Sequence, residues 1–301
     1  MSDDPYGNVE APLSGLPALQ RVTAVMVNFN SGPWLARCVG ALRDGGSDAP
    51  PIEIVDNASK DDSLEQLPDL PRLRVQRSMR NLGFARGVNW AAGSANTEYL
   101  LIINPDCLLS PAALTLLVQD LDENPDAAMV SGRVLDMQGR EQRGSRRRLP
   151  TRQRVLNEVW GHGKTGVDLT QLPAPDQPCE VEAVSGACML VRRQAFAETG
   201  GLDEGYPLHF EDLDFMARLR NAGWKIRLLP QVAVSHAGGV SSRSRPVQVM
   251  WKKHRGLWRY LTQHPESPWP LWNRWLWWLA IHARAVLLIP RTVWSDRGGG
   301  R

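Results

Sequence analysis

The sequence predicts an α/β domain with a mostly parallel central sheet flanked by helices. Short β-branched runs alternate along the chain with helix-length segments, and polar residues directly follow the apolar runs. This alternation is typical of βαβ units. The chain has 301 residues, 43% of them hydrophobic, which is enough for a substantial core. The composition excludes a disordered, collagen-like or disulfide-bonded protein.

The first half of the chain supplies the alternation. Four apolar runs are predicted strands: 22–27, 52–55, 73–75 and 99–103. The segments between and after them are predicted helices: 33–43, 63–67, 83–95 and 111–123. Ligands of an open α/β sheet bind beyond the carboxyl ends of the strands. The residues that follow each strand are therefore candidate site residues.

Short polar residues and glycines follow all four predicted strands. In chain order they are Asn28, Asp56, Asn57, Asn81, Gly83, Asn104 and Asp106. Turn chemistry explains any one of these loops equally well, because Asn, Asp and Gly are common in βα loops. The joint pattern favours a polar ligand across the strand ends. The first strand is followed by neither G-x-G-x-x-G nor a P-loop, which argues against a nicotinamide dehydrogenase.

A second group of carboxylates opens a predicted helix over 211–221. Helix capping accounts for acidic residues in a first turn, but three carboxylates within four residues exceed what a cap needs. They are Glu211, Asp212 and Asp214. Because consecutive helical residues point about 100° apart, Glu211 and Asp212 cannot face the same reacting atom. One of them is expected to be a base and the other an orienting or acceptor-contact residue.

Two further residues are candidate ligands of a divalent cation. Asp106 leaves a buried strand through Asn104 and Pro105, and His236 follows another short strand beside glycines. One or two carboxylates together with substrate phosphates form the usual Mg²⁺ site. A turn after the strand explains Asp106 without a metal, and a lone histidine is often structural. A predicted strand over 184–191 starts with small residues that include Gly186.

A basic loop precedes this second group. It contains Arg140, Arg143, Arg146, Arg147, Arg148, Arg152 and Arg154. The loop is either a solvated charged surface or a clamp for a phosphate-bearing acceptor, since arginine suits bidentate phosphate contact.

The C-terminal fifth is compositionally distinct. Eight of the twelve tryptophans follow residue 250, and residues 237–301 contain eleven basic residues and two acidic ones. Apolar side chains recur there at helical spacing, at Trp272, Trp275, Leu279, Ala283 and Val286 or Leu287. Two interpretations stay open: this helix packs on the catalytic domain or in a homodimer, or it binds an anionic membrane surface. No nucleic-acid-binding motif is present, so we expect no such partner.

The location is expected to be cytoplasmic, at most peripheral at the inner face of the cell membrane. The first residues lack the basic and apolar regions of a secretory signal. The most apolar segment, about 16 residues over 275–290, is shorter than the ~20 that span a bilayer. The four cysteines show no paired or metal-type spacing.

Taken in order, these motifs resemble inverting family 2 glycosyltransferases of the GT-A fold, in particular a bacterial rhamnosyltransferase-like branch. The resemblance covers about residues 22–245. It is carried by VNFNS (27–31), VDNAS (55–59), NLGFARGVN (81–89), NPD (104–106), VSGA (184–187), GGLD (200–203), EDLD (211–214), AGW (222–224) and SH (235–236). Each motif is short, and their joint order carries the resemblance.

The resemblance implies a role for each matching residue. Asp212 would be the catalytic base with Glu211 beside it, and Asp106 and His236 would approach a divalent metal, Mg²⁺ or Mn²⁺. The implied donor-binding residues are Asn28, Asp56, Asn57, Asn81, Gly83, Arg86, Asn89, Asn104 and Gly186. Asn104 stands where the family's motif has its first aspartate, so the motif would supply the metal with one carboxylate, that of Asp106.

The implied organisation is a leader (1–20), a GT-A nucleotide-diphospho-sugar transferase domain (21–245) and a basic, Trp-rich helical tail (246–301). The domain divides into a nucleotide-sugar half (21–130) and an acceptor half (131–245). The implied function is transfer of a sugar, L-rhamnose from dTDP-rhamnose, to a glycan or lipid-linked glycan in surface polysaccharide biosynthesis. A UDP- or GDP-sugar transferase of the same fold, or a nucleotide- or glycan-binding protein without turnover, are the alternatives.

Overall fold

The computed structural model describes residues 16–44, 46–161, 163–238, 246–266 and 269–298. The first half contains β1 (Val22–Asn28), α1 (Pro33–Arg43), β2 (Ile52–Asp56), β3 (Leu73–Arg77), α2 (Phe84–Gly93), β4 (Tyr99–Ile103), β5 (Cys107–Leu108) and α3 (Pro111–Glu123). The second half contains β6 (Ala127–Leu135), β7 (Arg146–Arg147), α4 (Arg152–Val159), β8 (Cys179–Glu180), β9 (Ala183–Val184), β10 (Cys188–Arg192), α5 (Arg193–Glu198), α6 (Glu211–Asn221) and β11 (Lys225–His236). Two helices, α7 (Pro246–Gln263) and α8 (Leu271–Gly298), follow.

The central sheet has the strand order β3-β2-β1-β4-β10-β6-β11-β5, and β8 pairs with β11. The strands β3, β2, β1 and β4 are parallel, which confirms the α/β prediction for the first half. The expectation of a mostly parallel sheet is wrong at its centre, where β10 runs antiparallel to β4 and β6. β10 enters the sheet with Cys188 opposite Ile103, the last residue of β4, so it runs back along β4.

Two other predicted elements differ from the structure. The strand predicted over 184–191 is interrupted, because β9 ends at Val184 and the chain leaves the ladder until β10 begins. The segment 63–67 forms turns instead of a helix. Both the N–H and the Oγ of Ser63 donate to Asp61 Oδ1, and such local side-chain bonds compete with helix formation.

The two faces of the sheet bury separate apolar clusters, since successive strand residues point to opposite faces. Met26 lies on the face covered by α1 and α3. Val25 lies on the other face, which α2, α5 and α6 cover. Tyr260 of α7 and Ile281 of α8 belong to this second cluster. The C-terminal helices are thus part of the core that supports α6.

The sequence predicted a helical tail over 246–301, and the structure divides it into α7 and α8, of which α8 contains the predicted amphipathic segment. The division into leader, domain halves and tail stays a prediction. Residues 1–15 lie outside the described residues, and Ala18–Arg21 form a 3-10 helix in which Leu19 is buried. Among the residues that the structure describes, no helix has the length and apolar character to span a bilayer.

Candidate active site

The carboxyl ends of β1 and β2 carry a buried polar cluster. Asn28 Nδ2 donates to Asp56 Oδ1 at 2.8 Å, and to the Oγ atoms of Ser59 and Ser63 at 3.1 and 2.9 Å. The Ser59 N–H donates to Asp56 Oδ2 at 3.2 Å. Asn28 Oδ1 is buried and has no partner among the described residues. Because buried polar atoms are normally paired, this oxygen marks a place for a hydrogen-bond donor of a ligand.

Three of the predicted donor residues shape the loop that leads into α2. Asn57 Nδ2 donates to the Gly83 carbonyl at 3.0 Å, and Asn81 Oδ1 accepts from the Gly83 N–H at 2.9 Å. Gly83 has φ +89°, a left-handed conformation that favours glycine. These contacts fix the N-terminus of α2 beside the end of β2.

Arg86 and Asn89 lie further along α2 and connect the two halves of the molecule. Arg86 Nε donates to Glu204 Oε2 at 2.7 Å. Asn89 donates to the Leu202 carbonyl and accepts from the Leu202 N–H, each at 2.9 Å. Both side chains are thus engaged with residues 202–204. Their contact with a donor stays a prediction.

The structure brings Asp106 and His236 together. β5 pairs with the end of β11, so that His236 lies opposite Cys107, and the Ala237 N–H donates to the Asp106 carbonyl at 3.0 Å. His236 Nε2 lies 3.2 Å from Asp106 Oδ1. Asp106 is 7% exposed. Asn104, two residues earlier, donates through its N–H to the Ala187 carbonyl at 2.8 Å.

This pair fits a divalent cation. The Nε2 atom of Gln142 donates to the His236 carbonyl at 2.6 Å, which leaves the amide oxygen Oε1 facing His236 Nδ1 at 2.8 Å. Because Oε1 can only accept, Nδ1 carries a hydrogen and donates this bond. In neutral His236 the lone pair of Nε2 then faces the Asp106 carboxylate, and a cation between them would bind both. Ligands held at about 2.1 Å by one cation lie about 3 Å apart.

Cys107 lies within 4.8 Å of the same pair. Burial raises the pKa of the Cys107 thiol well above its ordinary value, and the thiol donates to the Ala187 carbonyl at 3.4 Å. A protonated thiol is a poor ligand for a hard cation such as Mg²⁺.

Asp212 lies in the first turn of α6 and has three hydrogen-bond donors. Its Oδ2 accepts from Arg147 Nη2 and from the Gly186 N–H at 3.2 Å, and its Oδ1 accepts from the Leu213 N–H at 2.9 Å. A Cβ atom at Gly186 would lie 2.8 Å from Asp212 Cβ, so only glycine fits there. Burial opposes ionisation, but Arg147 outweighs it and holds the pKa of Asp212 below its ordinary value.

Burial favours the uncharged forms of both Glu211 and His209. Burial, and then the charge of Asp212, raises the pKa of Glu211 to about 8. Burial, and then the charge of Lys253, lowers the pKa of His209 to about 4. Glu211 Oε2 and His209 Nε2 are buried without a partner among the described residues. Of the neighbours Glu211 and Asp212, Asp212 is therefore the one whose surroundings favour the charged form.

Asp214, the third carboxylate of the turn, faces away from Asp212 toward α7. It accepts from Arg218 Nε at 2.8 Å and lies 2.7 Å from His264 Nε2. At 2% exposure it is the more buried partner of both pairs. Its structural role explains why this turn carries more carboxylates than a cap requires.

The arginines of the basic loop make separate contacts. Carboxylates bind Arg140, Arg143, Arg146 and Arg154; backbone carbonyls bind Arg148; and the Trp269 ring lies against Arg152. Arg147 alone of the seven contacts Asp212. The loop is therefore chiefly an internally paired surface and contributes one residue to the candidate site.

The segment between β9 and β10 joins the two groups of candidate residues. Gly186 donates to Asp212, and the next carbonyl, that of Ala187, accepts from the Asn104 N–H and from Cys107 Sγ. Two adjacent residues of this segment therefore contact the base candidate Asp212 on one side and, on the other, the residues that flank Asp106, Asn104 and Cys107. The arrangement suits a displacement in which a hydroxyl loses a proton and a diphosphate departs.

Fold and site together define a GT-A glycosyltransferase. A family model described as Glycosyl transferase family 2 matches residues 23–200. The match covers more than half of the chain, so the chain belongs to glycosyl transferase family 2. The resemblance seen in the motifs is thereby confirmed, and the protein is an enzyme of the glycosyltransferase class rather than a binding protein without turnover.

Curated relatives with similar sequences are named as rhamnosyltransferases. One is the N-acetylglucosaminyl-diphospho-decaprenol L-rhamnosyltransferase of Mycobacterium tuberculosis (strain ATCC 25618 / H37Rv), 26% identical over 91% of this chain and 94% of that protein. Another is rhamnosyltransferase WbbL of Escherichia coli (strain K12), 26% identical over 50% of this chain and 56% of that protein.

Solved structures with the same fold are glycosyltransferases. The mannosyltransferase PcManGT of Pyrobaculum calidifontis, in complex with GDP-Man and Mn²⁺, has a TM-score of 0.55 and 17% identity, over 92% of this chain and 73% of that one. GalNAc-T7 with UDP, GalNAc and Mn²⁺ has a TM-score of 0.54 and 16% identity, over 72% of this chain and 44% of that one. These similarities confirm the GT-A fold.

Several residues of the site were not among the predicted site residues. Ser59, Ser63 and Gln142 bind predicted residues directly, and Arg147 was weighed only as part of the basic loop. Ser59 closes the VDNAS motif, so the motif itself pointed to it. Gln142 and His236 are 94 positions apart, and no local pattern links them.

Proposed function

We propose that the protein transfers L-rhamnose from dTDP-rhamnose to a glycan or lipid-linked glycan acceptor, with inversion at the anomeric carbon. The names of the relatives support the sugar, and one of them also names a diphospho-lipid acceptor. The observation that carries the mechanism is that one segment contacts both groups of candidate residues: Gly186 binds the Asp212 carboxylate, and Ala187 binds Cys107, which follows Asp106 in the chain.

Asp212 is proposed as the general base. The acceptor hydroxyl oxygen attacks the anomeric carbon, its proton passes to the Asp212 carboxylate, and the bond to the nucleoside diphosphate breaks. An ionised carboxylate is ready to take that proton at neutral pH. Glu211, which is neutral there, is suited to a contact with the acceptor and not to proton removal.

Asp106 and His236 are proposed to hold Mg²⁺ or Mn²⁺. Such an ion, when bound, would neutralise charge on the leaving diphosphate. Gln142 would orient His236 from behind, as partners of metal-bound histidines commonly do. The remaining predicted donor residues at the ends of β1 and β2 are proposed to contact the nucleoside, with Asn28 Oδ1 open to a donor group of the ligand.

We further propose that the protein is cytoplasmic and that α8 docks on the anionic inner face of the cell membrane. Its inner face packs on the protein through Ile281 and Ala285. Its outer face exposes Trp272 by 66%, Trp275 by 69% and Leu279 by 58%, and the strip ends at Val286 and Leu287. α8 itself carries the exposed Arg274, and α7, which packs against α8, exposes Lys252, Lys253 and Arg255. Tryptophan beside basic residues favours the headgroup region of anionic lipid.

A donor panel tests the proposed activity. Purified enzyme is given dTDP-rhamnose, UDP-sugars or GDP-sugars, with Mg²⁺, Mn²⁺ or EDTA and a synthetic N-acetylglucosaminyl-diphospho-lipid. We expect transfer from dTDP-rhamnose that EDTA abolishes. Asp106→Ala should weaken Mn²⁺-dependent donor binding in calorimetry, whereas Asp44→Ala, a change on the exposed surface, should not. Transfer from a UDP- or GDP-sugar in its place would overturn the donor assignment.

A further inference from the structure

We propose that Arg147 is a positioning residue for the base: together with the Gly186 N–H it fixes Asp212 Oδ2 and keeps this carboxyl ionised in its buried setting. The inference rests on the assignment of Asp212 as base under the proposed function. It adds the reason why a buried aspartate, and not its neighbour Glu211, carries the negative charge.

The Arg147 side chain is itself anchored by hydrogen bonds to the backbone. β7 pairs with β9, with Arg147 opposite Ala183. Arg147 Nη2 and Nε donate to the Val184 carbonyl at 2.5 and 3.2 Å, and Nη2 also reaches Asp212 Oδ2. Guanidinium is planar and always charged, so anchoring one edge of it orients the rest. The side chain is 17% exposed, and that of Asp212 is 14% exposed.

The surrounding charges make Arg147 the decisive partner. On its own turn Asp212 faces Glu211 and His209, both neutral at pH 7. From α7, the charges of Lys253 and Lys252 act on His209. Arg147 is the cation that hydrogen-bonds Asp212 among the residues the structure describes. Without it, the N–H groups of Gly186 and Leu213 would be the donors left to Asp212 among the described residues, and burial would favour the protonated carboxyl.

A cycle of variants tests the contact without relying on activity. Urea midpoints are measured at pH 8 and pH 5 for wild type, Arg147→Gln, Asp212→Asn and the double variant. Arg147→Gln leaves a buried anion unpaired, so we expect its midpoint to fall at pH 8 and to recover in part when Asp212→Asn is added. The deficit should shrink at pH 5, where the unpaired carboxyl takes up a proton. Additive changes, equal at both pH values, would overturn the proposal.

Kinetics then separate positioning from a purely structural role. With the donor that the panel identifies, Arg147→Gln should lower kcat about tenfold or more at pH 7 and move the acid limb of the kcat profile to higher pH. Arg147→Lys keeps the charge and should keep the acid limb low. The matched control is Arg148→Gln, since within the described part of the chain the Arg148 guanidinium binds the backbone carbonyls of Lys164 and Gly166 and not Asp212. An unchanged kcat profile in Arg147→Gln, or a loss confined to the KM of the acceptor, would contradict the inference.

The two assignments fail differently. If Asp212→Asn retains turnover, the assignment of the base is wrong, whatever Arg147 does. If Asp212→Asn is inactive but Arg147→Gln has a wild-type profile and additive stability, only the inference is wrong.

Discussion

Two adjacent carboxyl groups in the first turn of α6 carry opposite protonation states. Glu211 is 6% exposed and has no cation bonded to it among the described residues, so burial favours its protonated form. Asp212 is comparably enclosed but accepts from Arg147, which favours the charged form. Their environments drive the two pKa values apart, and this is how neighbouring acids acquire different roles.

The protonation of Glu211 predicts a pH-dependent stability. The unfolded chain releases this proton near the ordinary glutamate pKa of about 4.3, whereas the native state keeps it until about pH 8. Between these values the native state binds more protons, so wild type loses stability as pH rises. Glu211→Gln has no such proton. The difference in free energy of unfolding between Glu211→Gln and wild type should therefore shift in favour of the variant as pH rises, by up to about 1.4 kcal/mol per pH unit over this window.

Denaturant titrations from pH 5 to 8 measure this difference. Glu65→Gln is the control for removal of one negative charge, since Glu65 is exposed. Parallel stability curves for Glu211→Gln and wild type would show that Glu211 is ionised in the folded protein.

At the level of single residues, motif patterns identified the candidates but not their partners. Asp212, Asp106 and His236 belong to short motifs that can be read locally. Arg147 and Asp212 are 65 positions apart, and their contact depends on the pairing of two-residue strands. Nothing in a single sequence distinguishes Arg147 from the six other arginines of its loop.

The bounds of helices with local start and stop signals were predicted closely. α1, α3 and α6 have the predicted bounds. Proline in the first turn marks α1 and α3, the Ser110 side chain accepts from the Ala113 N–H to cap α3, and Gly223 follows α6. The antiparallel β10 and the docking of α7 were not predictable in this way. Both depend on distant contacts, such as the close approach of Gly256 to the His209 carbonyl.

The element α8 gives a prediction of its own. The variant Trp272→Ser/Trp275→Ser/Leu279→Ser changes only exposed side chains and should fold normally, whereas truncation after residue 267 would also remove the buried Ile281. In flotation with phosphatidylcholine vesicles containing a third phosphatidylglycerol, we expect the variant to bind at least about tenfold less tightly.

The control changes exposed apolar residues on other helices, Trp90→Ser and Leu116→Ser, and should leave vesicle binding unchanged. Sedimentation of the same proteins tests the alternative occupant. A wild-type dimer that the α8 variant converts to monomer, with vesicle binding unaltered, would assign the strip to a second copy of the chain and contradict membrane docking.

Across the whole molecule, several links hold the halves and the tail around one site. Arg86 and Asn89 bind residues 202–204, and Asp214 binds His264 of the segment after α7. Arg259 of α7 in turn binds Asp203. The tail helices therefore brace the helix that carries Asp212, so membrane docking and catalysis are expected to involve one connected body.

The rate of sugar transfer by the Asp212→Asn variant tests the central claim most directly. It is compared with the wild-type rate, and donor binding is measured in parallel. The substitution keeps the shape of the side chain but removes its capacity to accept a proton. We expect the dissociation constant for the nucleotide sugar with Mn²⁺ to stay within about threefold of wild type, and transfer to fall by about 100-fold or more. Transfer at the wild-type rate by a folded, donor-binding Asp212→Asn would contradict the account.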